Sequence, residues 1–145
     1  MKFLEENQVA LDVEATSPED AIRVAGKLLV EAGAVEEGYV DAMVASFQKN
    51  GPYFVLAPMI ALPHARPEDG VHEASVSFVR LKNAVIFGNK ANDPVQFVFA
   101  LGASSSDEHL QILQKLMVLL SDQENIQQLA ELTSYQELNE MIRGK

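Results

Sequence analysis

Cysteine is missing from all 145 residues, which excludes disulfides, cysteine-ligated zinc, iron–sulfur clusters and thiol catalysis. The absence fits a reducing compartment. Basic residues are scarce: 11 Lys and Arg stand against 21 Asp and Glu, giving a formal net charge of −10. So acidic a chain repels phosphate backbones, and no Lys/Arg cluster offsets this, so nucleic acid is not an expected partner. The balance suits a protein whose partners carry basic patches. No apolar run approaches the ~20 residues that span a bilayer, so no direct membrane insertion is expected. The opening MKFLEENQ turns acidic before any apolar run develops, which is unlike a signal peptide. The expected location is cytoplasmic. Also lacking are a GxxxxGKS/T loop, a GxGxxG turn after a strand, a GxSxG elbow and an HExxH helix. Their absence argues against P-loop ATP binding and ester hydrolysis by the α/β-hydrolase route, and nothing calls for a cofactor or a metal.

What is present is an ordinary globular composition, 48% apolar and 22% charged. Residues 1–145 are expected to form a single domain that buries about 70% of its unfolded surface. Gln8 to Val13 reads as a first strand. Ser17, Pro18, Glu19 and Asp20 start a helix that Gly33 stops. A second helix runs from about Glu36 to Asn50, with Tyr39, Val40, Met43, Val44 and Phe47 on one face and Gly51-Pro52 ending it. Three strand-like segments follow: Tyr53 to Leu62, broken at Pro58; Ala74 to Leu81; and Val95 to Leu101. The last is nearly all apolar and is expected to be central and covered on both faces. Three helices close the chain, each with an S-x-x-E start at Ser105, Ser121 and Ser134. The first, His109 to Leu120, is the most apolar and is expected to be buried. The order β-α2-β3-α3 predicts an α/β fold, a three-layer α/β/α sandwich around a small mixed sheet. Between Pro58 and Glu73 little pattern is visible, and loops of that length in compact domains are often functional.

Only three histidines are available for chemistry: His64, His72 and His109. His64 sits in Leu62-Pro63-His64-Ala65-Arg66-Pro67, where two prolines restrict their own φ and the residues before them. A neutral imidazole is a competent nucleophile, and the Arg66 fork suits phosphate oxygens. Taken alone, His64 reads more readily as a histidine that satisfies a loop backbone. His109 changes the weighing, because it opens the helix after the buried strand, across the small-residue turn Gly102 to Ser106. Backbone N–H groups at such a helix start can hold an anion, although the run SSSDE by itself reads first as an N-cap. If the two strands end at one edge, His64 and His109 share a cleft. His72 matches no local metal-ligand spacing and reads as a surface residue.

The run GPYFVLAPMIALPHARPEDG resembles the active-site region of the IIA components of the bacterial phosphoenolpyruvate-dependent sugar phosphotransferase system, in the fructose/mannitol class. GPY, VLAP and PHARPE together are most like the ascorbate-type IIA proteins. The likeness extends to EEGYVDAM before the motif and DPVQFVFALGASSSDEHLQILQKLMVLLSD after it. The resemblance implies a phosphocarrier with His64 as the phosphorylated histidine and His109 as the second histidine assisting transfer. It further implies phospho-HPr as donor and a IIB component as acceptor, serving a membrane IIC transporter for a sugar or sugar acid, with an ascorbate-like compound expected. The chain departs from the mannitol type at Ser46, where those members have an arginine. Arg66 as the replacement charge is an inference from this sequence and not part of the resemblance.

Three alternatives stand beside this reading. A regulatory relative would signal by its phosphorylation state instead of feeding transport. A metal-binding or hydrolytic domain would use His64, His72 and His109, but no helix carries two ligands at i, i+4. A pure interaction module leaves the PHAR loop unexplained.

Overall fold

The computed structural model describes residues 1–144. Two short elements open the chain, β1 (Lys2–Phe3) and, after a 3-10 turn, β2 (Val9–Val13). Helices α1 (Pro18–Glu31) and α2 (Glu37–Asn50) follow, then β3 (Ile60–Ala61), β4 (Ser75–Val76), β5 (Phe78–Val85), β6 (Val95–Val98) and β7 (Leu101–Gly102). Helices α3 (Ser106–Leu120), α4 (Gln123–Glu131) and α5 (Tyr135–Arg143) close it.

Local chemistry explains the helix ends. Ser17 accepts a hydrogen bond from the Asp20 N–H at 3.1 Å, and Pro18 occupies the first helical position. At the other end Gly33, at φ 75°, donates to the Val30 carbonyl, and the Ala34 N–H donates to that of Leu29. That double return satisfies two end carbonyls and requires the left-handed conformation glycine adopts freely. Where α1 crosses α2, Gly26 lets the backbones approach: a Cβ there would lie 2.8 Å from a methyl of Val40.

The strands form two mixed sheets, β1-β4-β7 and β2-β5-β6-β3. The expected segments Ala74 to Leu81 and Val95 to Leu101 are each divided between the sheets. They run antiparallel and break together, with the Ser77 N–H donating to the Ala100 carbonyl at the kink. Side chains alternate across this pair as a pleated strand requires. Val79, Leu81, Val98 and Ala100 pack toward α1 and α2, while Phe78, Phe97, Phe99 and Leu101 pack toward α3, α4 and α5. Helices therefore cover the sheet layer on both faces, and β6 is central between β5 and β3.

Several expected elements differ. Tyr53 to Leu62 contributes only the two-residue β3, because Met59 takes φ 70° and the Ile60 N–H turns back to the Ala57 carbonyl. β1 gave no sequence signal: it is two residues long and held by hydrogen bonds from Lys2 N–H to Ala74 and Leu4 N–H to Val76. α4 is capped by Asp122, which accepts from the Glu124 N–H at 2.9 Å. Ser121 is instead the C-cap of α3, its N–H engaged with Met117. Helix α3 is not buried all round. It presents Ile112, Leu116 and Leu119 to the core and leaves Leu110, Met117 and Val118 exposed. Arg80, in the middle of β5, is buried, and its guanidinium donates to the Leu129 carbonyl and to Asp12, each at 3.0 Å.

Candidate functional site

β3 runs parallel to β6, with Ile60 opposite Phe97 and Ala61 opposite Val98. The chain after β3 enters the Pro63–Ala65 loop at the same edge where β7 gives way to the turn before α3. Hydrogen bonds from Phe99 N–H to Ala61 and from Leu101 N–H to Pro63 carry the pairing into that loop. The His64 and His109 rings consequently meet, with centroids 5.2 Å apart and planes tilted by 55°. Both line a shallow depression of about 260 Å³ with Ala65, Arg66, Pro67, Ala103, Ser105 and Ser106.

The His64 Nδ1 lies 2.9 Å from the Leu62 carbonyl. A carbonyl only accepts, so Nδ1 carries the proton and, in the neutral ring, Nε2 keeps its lone pair. The ring is half-buried. Burial, and after it the charge of His64, holds the His109 imidazolium below its ordinary range. Two cationic rings this close repel, which is the physical source of the second influence on His109. In the window between the ordinary and the lowered value the unfolded chain binds more protons than the folded one. Stability contributed by His109 is therefore present above that window and lost as pH falls through it, damped by solvent around the partly exposed ring. In an NMR titration, His64→Gln is expected to raise the His109 midpoint only part of the way, because burial is the larger cause. Full return to the ordinary value would mean that the neighbouring ring dominates.

The α3 start is built differently from a plain capping box. Ser105 accepts from the Glu108 N–H at 3.2 Å, but the Glu108 carboxylate reaches past the cap to the N–H of Ser104 at 2.8 Å and to its hydroxyl. Those two bonds, the side-chain one first, hold the Glu108 carboxyl below its usual range. Part of the expected N–H array is thus already occupied. Ser105 and Ser106 remain on the wall of the depression.

Arg66 lines the depression, yet its guanidinium is held by Asp69, three residues on, through contacts of 3.4 Å from Nε and Nη2. The Asp69 hydrogen bond and charge hold the Arg66 guanidinium above its ordinary value. Ser46 is one residue removed from the histidines: it shares a 3.0 Å hydrogen bond with the Tyr53 hydroxyl, and the Tyr53 ring meets His64 edge-on at 6.0 Å. His72 stands apart, its Nε2 3.3 Å from Glu36 at the start of α2. Among the described residues no group of three or more His, Cys, Asp or Glu is arranged to hold a metal. The metal-centre alternative, which needed His72 beside the other two, loses its geometry. No described helix is long and apolar enough to cross a membrane.

The profile of the family described as "Phosphoenolpyruvate-dependent sugar phosphotransferase system, EIIA 2" matches residues 2–145. The chain belongs to this EIIA family. Curated EIIA relatives include the ascorbate-specific PTS system EIIA component of Escherichia coli (strain K12), 34% identical over 139 residues, covering 95% of this chain and 90% of that protein. Solved EIIA structures share the fold. The mannitol-specific cryptic phosphotransferase enzyme IIA from Escherichia coli superposes with a TM-score of 0.87 at 31% identity, over 98% of this chain and 96% of that one. The mannitol enzyme IIA from Escherichia coli, solved in complex with its phosphorylated enzyme IIB, gives 0.84 at 34% identity over 99% of each chain. EIIA components are phosphotransfer proteins.

Sequence reasoning about this EIIA protein missed two tyrosines. In the sequence pattern Tyr39 is one more residue on the apolar face of α2, and in the structure it is wholly buried. Its hydroxyl accepts from the Ala65 N–H at 3.0 Å and lies 2.6 Å from the Leu101 carbonyl. Burial, above the other influences, raises its pKa to about 12, so the phenol stays protonated. The available signal was the residue type, since a buried tyrosine hydroxyl needs partners. Tyr53, half-exposed beside His64, gave no comparable signal.

Proposed function

We propose that this chain is a phosphocarrier that takes a phosphoryl group from phospho-HPr onto Nε2 of His64 and passes it to a IIB component. The observation that carries the reading is the His64–His109 pair, with the His64 Nδ1 proton engaged by Leu62 and Nε2 left as the nucleophile. In the accepting step a bond forms between Nε2 and phosphorus as the bond to the donor breaks. The positive charge gained by the ring is eased by the carbonyl at Nδ1–H. In the donating step the same Nε2–phosphorus bond breaks and the imidazole is restored. Phosphoryl transfer depends on alignment and on stabilising charge over the phosphoryl oxygens. His109, across the depression, supplies a donor to those oxygens. An open, shallow site suits a group that must meet two protein partners in turn, and a cytoplasmic location goes with this role.

An ascorbate-like compound is the proposed cargo of the system, supported by the 34% identity to ascorbate-specific EIIA components. The mannitol IIA solved with its phosphorylated IIB supports a IIB protein as acceptor. The test is reconstitution with phosphoenolpyruvate, enzyme I and HPr, followed by addition of purified ascorbate-type or mannitol-type IIB. The proposal expects one phosphate per chain, none from ATP, and faster discharge to the ascorbate-type IIB. Labelling from ATP, or preference for the mannitol-type IIB, contradicts it in the corresponding part.

Arg66 is proposed to act through its charge on the phosphoryl group or on the partner. Its side chain is 75% exposed and shared with Asp69, so its effect is small and screened by salt. Arg66→Ala is expected to slow transfer by less than about tenfold at low salt and to flatten the salt dependence, with the fold intact. Identical rates in wild type and variant at low and high salt would take Arg66 out of the site.

A further inference from the structure

The two residues flanking His64 are both held by one residue of the sheet. The Pro63 carbonyl accepts directly from the Leu101 N–H at 3.1 Å. The Ala65 N–H is linked to the same residue through the Tyr39 hydroxyl, which accepts from Ala65 at 3.0 Å and donates to the Leu101 carbonyl at 2.6 Å. A second oxygen, the Ala65 carbonyl, lies 3.4 Å away. A phenol has a single proton, and the shorter contact claims it. Leu101 opens β7, and only Gly102, Ala103 and Ser104 separate it from the Ser105 cap of the helix that carries His109. Tyr39 comes from α2, on the opposite side of the sheet from α3, and reaches the site through the core.

Building on the phosphocarrier reading, we propose that the Tyr39 hydroxyl is a positioning group: it ties the His64 loop to the strand leading into α3 and so sets the His64–His109 separation. Its hydrogen-bond partners among the described residues are backbone atoms, so it acts through the backbone. Proline restricts the loop on either side of His64, but a stiff loop can still swing as a unit. Two anchors on Leu101, one direct and one through Tyr39, stop that motion. The geometry of an in-line transfer tolerates little displacement, and a shift of about 1 Å can cost about a hundredfold in rate.

The test compares wild type, Tyr39→Phe and Ser77→Ala. The Ser77 hydroxyl is equally buried and donates to the Ala25 carbonyl at 2.8 Å, so its loss reports what removing a core hydroxyl does in general. Tyr39→Phe is expected to lower kcat for phosphate acceptance from phospho-HPr by about tenfold with KM unchanged, because the fault lies in alignment and not in docking. It should also speed hydrogen exchange of the Ala65 amide and broaden or shift the His64 Nδ1–H resonance. Ser77→Ala should lower the unfolding midpoint and leave all three readouts alone. Wild-type kcat together with wild-type Ala65 exchange in Tyr39→Phe would overturn the proposal, as would a change confined to KM. Should Tyr39→Phe not fold, the wild-type Ala65 amide decides: slow exchange supports the tether, and exchange at the rate of an unstructured peptide refutes it. Wild-type protein that takes no phosphate from phospho-HPr would count against the phosphocarrier reading alone, leaving the amide and imidazole measurements to judge Tyr39.

Discussion

His64→Ala protein is expected to take up no phosphate from phospho-HPr while keeping its fold. The loop around His64 is held by backbone bonds, Pro63 to Leu101 and Ala65 through Tyr39, that do not involve the imidazole. Removing the ring deletes one bond to Leu62 and some half-exposed packing, which is a small fraction of the core. The proposed nucleophile has no neighbour placed to substitute for it. His109 is 5.2 Å away, on a helix fixed by its own cap and by Ile112 and Leu116 beneath it, so it does not swing into the vacated position. Removal of a covalent nucleophile typically costs more than about 10⁴-fold. Phosphate incorporation measured beside circular dichroism and a denaturation midpoint separates loss of function from loss of fold. Stoichiometric labelling of a folded His64→Ala protein would refute the assignment.

His109→Ala is expected to slow transfer by about 10²–10³-fold, the usual cost of deleting one donor that acts chiefly in the transition state. The argument rests on where charge develops. As phosphorus moves between two nucleophiles its three oxygens carry the negative charge, and the His109 ring lies beside His64, the proposed acceptor. A neutral His109 donates from one nitrogen only, and burial, with the neighbouring His64 charge after it, favours that neutral form by lowering its pKa. Glutamine also offers an N–H donor of similar reach, so His109→Gln should recover part of the rate that alanine loses. The variant should still be labelled on His64. Stopped-flow or quenched-flow transfer from phospho-HPr and to IIB measures both directions. An unaltered rate in His109→Ala would reduce His109 to a helix-start residue.

The helix framework was legible because its signals are local. Ser17, Pro18 and Gly33 each impose a backbone conformation within one turn, and the structure uses all three for those ends. Ser121 misled because only two residues separate α3 from α4, so two serviceable caps, Ser121 and Asp122, compete and the C-cap role takes the first. The strands were harder. The strand pattern continues unbroken, as alternation through Ser77 and as an apolar run through Phe99-Ala100, whereas the division into two sheets comes from a kink that both segments share, which is a property of the pair and not of either segment. The meeting of His64 with His109 followed from strands ending at one edge, a condition that could be posed from the order of elements but not settled by it. Arg66 illustrates the limit: its neighbour Asp69 is visible in the sequence, but only the 3-10 turn at Pro67–Asp69 brings the carboxylate back onto the guanidinium. Tyr39 lay beyond reach because its partners, Ala65 and Leu101, are 26 and 62 residues away along the chain.

The most direct test is to phosphorylate the wild-type protein with phosphoenolpyruvate, enzyme I and HPr and to locate the phosphate by phosphorus and nitrogen NMR. A proton held at Nδ1 by the Leu62 carbonyl leaves one nucleophilic nitrogen, so the expected result is a single acid-labile, base-stable phosphate on Nε2 of His64, with His109 unmodified. Phosphate on His109, or on Nδ1 of His64, would contradict the account.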